Sequence, residues 1–102
     1  MTIRVGVTGA AGRMGRTIIQ LLGEIDELEL TAAIEQPGVQ FIGADAGEVA
    51  GVGKLGVGIA EALSTELERF DVLIDFSHPS SAVANAGQCA EGGRRVVIGT
   101  TG

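Results

Sequence analysis

The chain has no tryptophan and no tyrosine, and only three phenylalanines, one cysteine, one histidine and two prolines among 102 residues. Without Trp or Tyr, a stacking platform for single-stranded nucleic acid is not expected. Basic residues are scarce too. Seven Lys and Arg against 13 Asp and Glu give a formal net charge of −6, the wrong sign for gripping a phosphate backbone. The lone Cys89 has no second cysteine or histidine cluster to pair with, so no metal site is expected and buried packing is its role. No apolar run is long enough to span a membrane, and the basic-then-apolar layout of a signal peptide is missing, so a cytoplasmic protein is expected.

Glycine, by contrast, is abundant: 17 residues, clustered at the start of the chain and between positions 38 and 58. Hydrophobic residues at 45% and charged residues at 20% are ordinary for a single globular domain. The opening stretch VGVTGAAGRMG, residues 5–15, joins an apolar strand at 3–7 to a helical pattern carrying Met14, Ile18, Ile19, Leu21 and Leu22. Gly9, Gly12 and Gly15 fall at this junction. The first permits a tight turn, the second close approach of phosphates to backbone, and the third close packing of helix on strand. Helix-start N–H groups and the positive end of the helix dipole then face the phosphate oxygens. Arg13 and Arg16 make a local positive spot that suits a small phosphorylated ligand. A tight turn alone does not need three glycines, each of which costs backbone entropy.

Residues 28–34, LELTAAI, read as a second strand that delivers Glu35, 20 positions after Gly15, where an acid is expected on ribose hydroxyls. Residues 36–58 hold seven glycines and little periodicity, and are expected to form a long functional loop with a short strand near 54–57. A helical stretch is expected over 59–68. The near-continuous apolar run 70–76 predicts a parallel strand covered on both faces. Ser77-His78-Pro79-Ser80 then caps a helix over 81–91, Gly92-Gly93 ends it, and 95–98 form the next strand. The expected fold is α/β, a Rossmann-like doubly wound parallel sheet with strands at 3–7, 28–34, 70–76 and 95–98 in the spatial order 3-2-1-4. Its ligand edge, at the carboxyl ends of the strands, carries residues 9–15, Glu35, residues 77–79 and residues 99–102. The last strand ends there with no helix after it, which predicts that the chain is part of a longer protein.

VGVTGAAGRMGR, ADAGEVAGVGKLGV and DVLIDFSHPSSAVANAGQCAEGGRRVVIGTTG, in this order and spacing, resemble dihydrodipicolinate reductase over nearly the whole chain. That family is the 4-hydroxy-tetrahydrodipicolinate reductase of the diaminopimelate route to lysine. The resemblance implies that residues 1–102 are its N-terminal nucleotide-binding domain, taking NADH or NADPH, with the catalytic and substrate domain absent. It further implies that Gly9, Ala10, Ala11, Gly12, Arg13 and Met14 hold the pyrophosphate and Glu35 the adenosine ribose. Phe76 and Ser77 would lie near the cofactor, with Gly99, Thr100 and Thr101 at the nicotinamide end. The family's His-His-Arg-x-Lys and Asp-Ala-Pro-Ser-Gly-Thr stretches do not occur here, so no catalytic residue is expected in this chain. His78 is expected to be a loop residue near the cofactor. Many members have Arg after the ribose acid; Gln36 stands there instead, which leans a dual cofactor preference toward NADH. The full-length protein is expected to be a homotetramer that binds its small-molecule substrate through the missing domain.

Two other readings compete. TGAAGRMG also fits the extended short-chain dehydrogenase and epimerase pattern, whose Tyr-x-x-x-Lys pair this tyrosine-free chain lacks. A non-catalytic nucleotide-sensing module is the second, against which stands the absence of a basic DNA-contact surface.

Overall fold

A computed structural model of the chain describes residues 2–77 and 79–99. Five parallel strands form one sheet: β1 (Ile3–Thr8), β2 (Leu28–Ile34), β3 (Ile59–Ala60), β4 (Val72–Asp75) and β5 (Arg95–Ile98), in the order β3-β2-β1-β4-β5. Helices α1 (Arg13–Leu22) and α2 (Ala46–Ala50) contribute to the core on one face, and α3 (Pro79–Glu91) to the core on the other. The doubly wound α/β class read from the sequence is therefore present.

The strand order differs in one respect. The segment expected as third strand pairs with β1 through Val5↔Val72 to Thr8↔Asp75, and the strand beside β2 is the unexpected pair Ile59–Ala60. Ile59 is buried against the first core, and Ala33↔Ile59 and Ile34↔Ala60 pairing occupies what would otherwise be the open edge of β2. Edge pairing overrides weak helical propensity here, so the helix expected over 59–68 is replaced by β3 and two 3₁₀ turns at Leu63–Thr65 and Leu67–Arg69. The short strand expected near 54–57 falls a few residues later for the same reason. The helix after β4 starts at Pro79, earlier than expected, with proline in its favoured first helical position.

Nor are residues 36–58 without structure. Asp45 caps α2, its carboxylate accepting from the N–H groups of Gly47 and Glu48 and, ten and eleven residues on, of Leu55 and Gly56. These bonds, that from Leu55 foremost, hold the Asp45 carboxyl below its ordinary pKa. Gln20 on α1 donates to the Ala50 carbonyl at 2.8 Å, and Ala46 and Ala50 join the first core.

The first core gathers Val5, Val7, Ile19, Leu22, Leu30 and Ala33; the second gathers Ala32, Ile34, Phe70, Leu73 and Cys89. Gly6 makes room for the second, since a Cβ there would come within 2.9 Å of the Phe70 ring. Burial pushes the Cys89 thiol's pKa up, as suits an inert packing residue. β2 contains a bulge: Val5 faces Leu30 but Gly6 faces Ala32, leaving Thr31 unpaired with β1. The bulge reverses alternation, so Leu30 and Ala33 share the α1 face while Ala32 and Ile34 turn to the other.

α1 packs tightly onto the turn before it. A Cβ at Gly15 would fall onto the Gly9 carbonyl oxygen, which is backbone and cannot move aside cheaply. Gly15→Ala is expected to lower stability by about 1–3 kcal/mol or more, as overpacking does. Urea denaturation checks this, and a midpoint equal to that of the parent would show that helix and turn can part.

Candidate functional site

The turn after β1 begins with Gly9, whose φ of +67° lies in the left-handed region that favours glycine. A side chain there would also meet the Phe76 carbonyl at 3.0 Å. The Ala10 N–H donates to Ile34 O at 3.2 Å, and the Gly12 N–H to Gly9 O at 3.0 Å. Gly12 is the N-cap of α1, with φ −78°, and no side chain caps the helix start. That first turn contains no acid, while Arg13 and Arg16 sit in it. The positive end of the helix dipole is thus left for an anion.

Two clefts share this turn at the carboxyl edge of the sheet. The larger, about 430 Å³, is bordered by Thr8, Gly9, Gly12, Glu35, Gln36, Leu63, Ser64, Phe76, Ser77, Asn85 and Gln88, among others. The smaller, about 340 Å³, is lined by Gly9, Gly12, Arg13, Met14, Gly15, Phe76 and Gly99. The Phe76 ring lies against Gly99, where any Cβ would collide with it. Of the residues singled out in the sequence, Gly9, Gly12, Glu35, Phe76 and Ser77 meet in the first cleft, and Arg13, Met14 and Gly99 join the second. Ala10 is buried and presents only backbone. Thr100, Thr101 and His78 lie outside the described residues.

Glu35 reaches the glycine turn because of the bulge in β2. With alternation reversed, the residue after Ile34 emerges on the α1 side. Its carboxylate accepts from the Ala11 N–H at 2.9 Å and from the Gln36 N–H at 3.0 Å.

Beneath the clefts lies a carboxylate that sequence reading passed over. Asp75, at the end of β4, has no exposure to solvent. It accepts from Thr8 Oγ1 (2.5 Å), Ser77 N–H (2.8 Å), Ser77 Oγ (2.5 Å) and Asn85 Nδ2 (3.2 Å). Thr8 Oγ1 in turn accepts from the Phe76 N–H at 3.1 Å. Desolvation is the largest influence on the Asp75 pKa and raises it, but the bonds from Ser77, Thr8 and Asn85 together outweigh burial and hold it below the usual carboxylate range. The signal was available: of the two acids in the run FDVLIDF, Asp75 lies at its inner end behind Val72, Leu73 and Ile74, and must have partners if the strand is buried.

A parallel sheet wound on both faces, with a glycine turn and an acid at the tip of the second strand, defines a dinucleotide-type α/β domain. Comparison with known proteins narrows the class. The family model "Dihydrodipicolinate reductase, N-terminus" matches residues 3–102. The 4-hydroxy-tetrahydrodipicolinate reductase of Saccharophagus degradans is 53% identical over 102 residues, and that of Alkalilimnicola ehrlichii 49%. All of this chain, but only 38% of each relative, is covered. A dipicolinate-bound dihydrodipicolinate reductase from Paenisporosarcina sp. TG-14 superposes with a TM-score of 0.79 at 25% identity, covering 100% of this chain and 38% of that one. The chain belongs to the dihydrodipicolinate reductase N-terminus family.

Because the folded-state pKa of Asp75 lies below its unfolded value, the stability it contributes is complete above about pH 4 and is lost as pH falls through the folded value. Asp75→Asn removes the charge and leaves hydroxyl donors facing an amide that cannot accept from all of them. It is expected to cost about 1–3 kcal/mol at neutral pH and to flatten the acid limb of the stability curve. Thermal melts of both proteins between pH 7 and 3 test this. Parallel acid limbs would show that Asp75 does not titrate with unfolding.

Proposed function

We propose that this chain is the NAD(P)H-binding part of a cytoplasmic 4-hydroxy-tetrahydrodipicolinate reductase, the enzyme that forms tetrahydrodipicolinate on the diaminopimelate route to lysine. The observation that carries the reading is Gly12. Gly9 and Gly15 are required by the fold, one by its φ and one by helix packing, but Gly12 is not. Its φ is ordinary, and among the described residues a Cβ there would meet one atom within 4 Å, the Gly9 carbonyl oxygen at 3.3 Å, a tight contact relieved by a shift of a few tenths of an ångström. A glycine that the backbone angle does not require and packing asks for only weakly, at a helix start bordering both clefts, is explained by a ligand that must touch backbone.

Residues Gly9 to Met14 hold the pyrophosphate in this reading, through backbone N–H groups and the helix start. Glu35 meets the adenosine ribose, Phe76 and Ser77 flank the dinucleotide, and Gly99, Thr100 and Thr101 border the nicotinamide. When bound, the reduced nicotinamide supplies a hydride. The residues that orient substrate and donate a proton belong to the remainder of the protein, since the chain spans 38% of the length of the relatives it matches. By the same resemblance that whole protein is a homotetramer.

Gly12→Val is expected to abolish NADH binding while lowering stability by no more than about 1 kcal/mol, the scale of an N-cap change. Calorimetric titration of both proteins tests it, and equal affinities would reduce the glycine motif to a turn. Gln36 sits in the larger cleft next to Glu35, where a 2′-phosphate would lie. Gln36→Arg adds a charge-assisted bond contributing roughly 1.5–3 kcal/mol, so NADPH should tighten relative to NADH by about tenfold or more. An unchanged ratio of dissociation constants would show that residue 36 faces away from the ribose.

A further inference from the structure

The α3 wall of the larger cleft carries Ser81, Asn85 and Gln88, spaced to share one face of the helix. Asn85 is the one whose orientation is fixed. Its Nδ2 donates to Asp75 Oδ2 and to Ser77 Oγ, each at 3.2 Å. An amide nitrogen has two hydrogens, so both are committed. Asp75 offers only acceptors, and Ser77 Oγ has given its own hydrogen to Asp75 Oδ1. Turning the Asn85 amide round would set its oxygen against two other oxygens. Most asparagines can present either end to a ligand, but here the carbonyl Oδ1 must point away from Asp75.

The place of this acceptor along the cleft indicates what it meets. The cleft runs from the glycine turn past Glu35 and Gln36 to Leu63 and Ser64, with α3 opposite. A ribose at Glu35 leaves the base to the stretch bounded by α3 and Leu63. Gln88, one helical turn beyond Asn85, adds a buried Oε1 with no hydrogen-bond partner among the described residues. A carboxamide oxygen fixed on the cleft wall calls for a ligand edge that donates.

We propose that Asn85 is a specificity-determining residue of this cleft, its fixed Oδ1 accepting from the exocyclic amine of adenine and rejecting a purine with oxygen at that position. The proposal rests on the dinucleotide reading above. Asp75 is then a positioning residue, acting through Asn85 without touching the ligand.

Calorimetric titration with NADH and with reduced nicotinamide hypoxanthine dinucleotide, whose base carries the oxygen, tests it. NADH is expected to bind about tenfold more tightly, the scale of one hydrogen bond plus the mismatch of two acceptors. Asn85→Leu is expected to close that gap by weakening NADH alone. Equal wild-type affinities would overturn the proposal, as would an Asn85→Leu protein in which both dinucleotides weaken alike. If that variant does not fold, the wild-type ratio decides alone. Failure of both dinucleotides to bind would overturn the dinucleotide reading and this proposal together, whereas binding without discrimination overturns only this one.

Discussion

A carboxylate taken out of water is tolerated only where donors surround it, and Asp75 draws its four from three separate parts of the chain. Thr8 comes from the end of β1, Ser77 from the turn after β4, and Asn85 from the second turn of α3. Satisfying this one charge fixes where a strand end, a loop and a helix stand relative to each other. Thr8 is followed at once by the glycine turn, and its hydroxyl also receives the Phe76 N–H. The floor of both clefts is therefore set by electrostatics before any ligand is considered. The same demand accounts for the orientation of Asn85, because an ionised acceptor leaves its neighbours no choice about which way their hydrogens point.

The glycine turn was legible from the chain because each of its glycines answers a different steric question. Gly9 needs a positive φ and Gly15 needs the absence of a Cβ, while at Gly12 φ is ordinary and a Cβ would crowd a single backbone oxygen. Spacing and context at a strand-to-helix junction carried that information without coordinates. Glu35 was legible by count, but not the reason it reaches the turn. That reason is a bulge at Thr31, and nothing in LELTAAI distinguishes a bulged strand from a regular one, since both faces of β2 are buried and alternation leaves no trace.

What remained hidden was built from long-range pairing. Ile59–Ala60 is two residues long, too short for any periodic signal, and exists because β2 offers an unpaired edge. Segment 36–58 seemed irregular because glycines break periodicity, yet one carboxylate, Asp45, gathers four of its N–H groups. Such Asp-centred turns are written in single residues rather than patterns. Asp75 belongs to the same kind, and there an acid following three apolar residues of a buried strand was a sufficient clue.

For an acidic chain to take a dinucleotide, as proposed, local charge must outweigh the total. At physiological salt a surface charge acts over about 8 Å, so the formal −6 matters less than what borders the turn. Two acids beside it have their oxygens already engaged: Asp75 by four donors, and Glu35 by the N–H groups of Ala11 and Gln36. The start of α1, meanwhile, has no acid in its first turn and two arginines close by. In an ordinary helix that arrangement is unfavourable, since cations belong at the other end of the dipole. It becomes favourable once a pyrophosphate lies between the helix start and the arginines. The placement of Arg13 and Arg16 is thus the counterpart of Gly12: the chain's own contacts, an Arg16 Nε bond to the Gly12 carbonyl at 3.4 Å and one tight approach to Gly9, ask for each only weakly, and an anion resting on the turn would account for both.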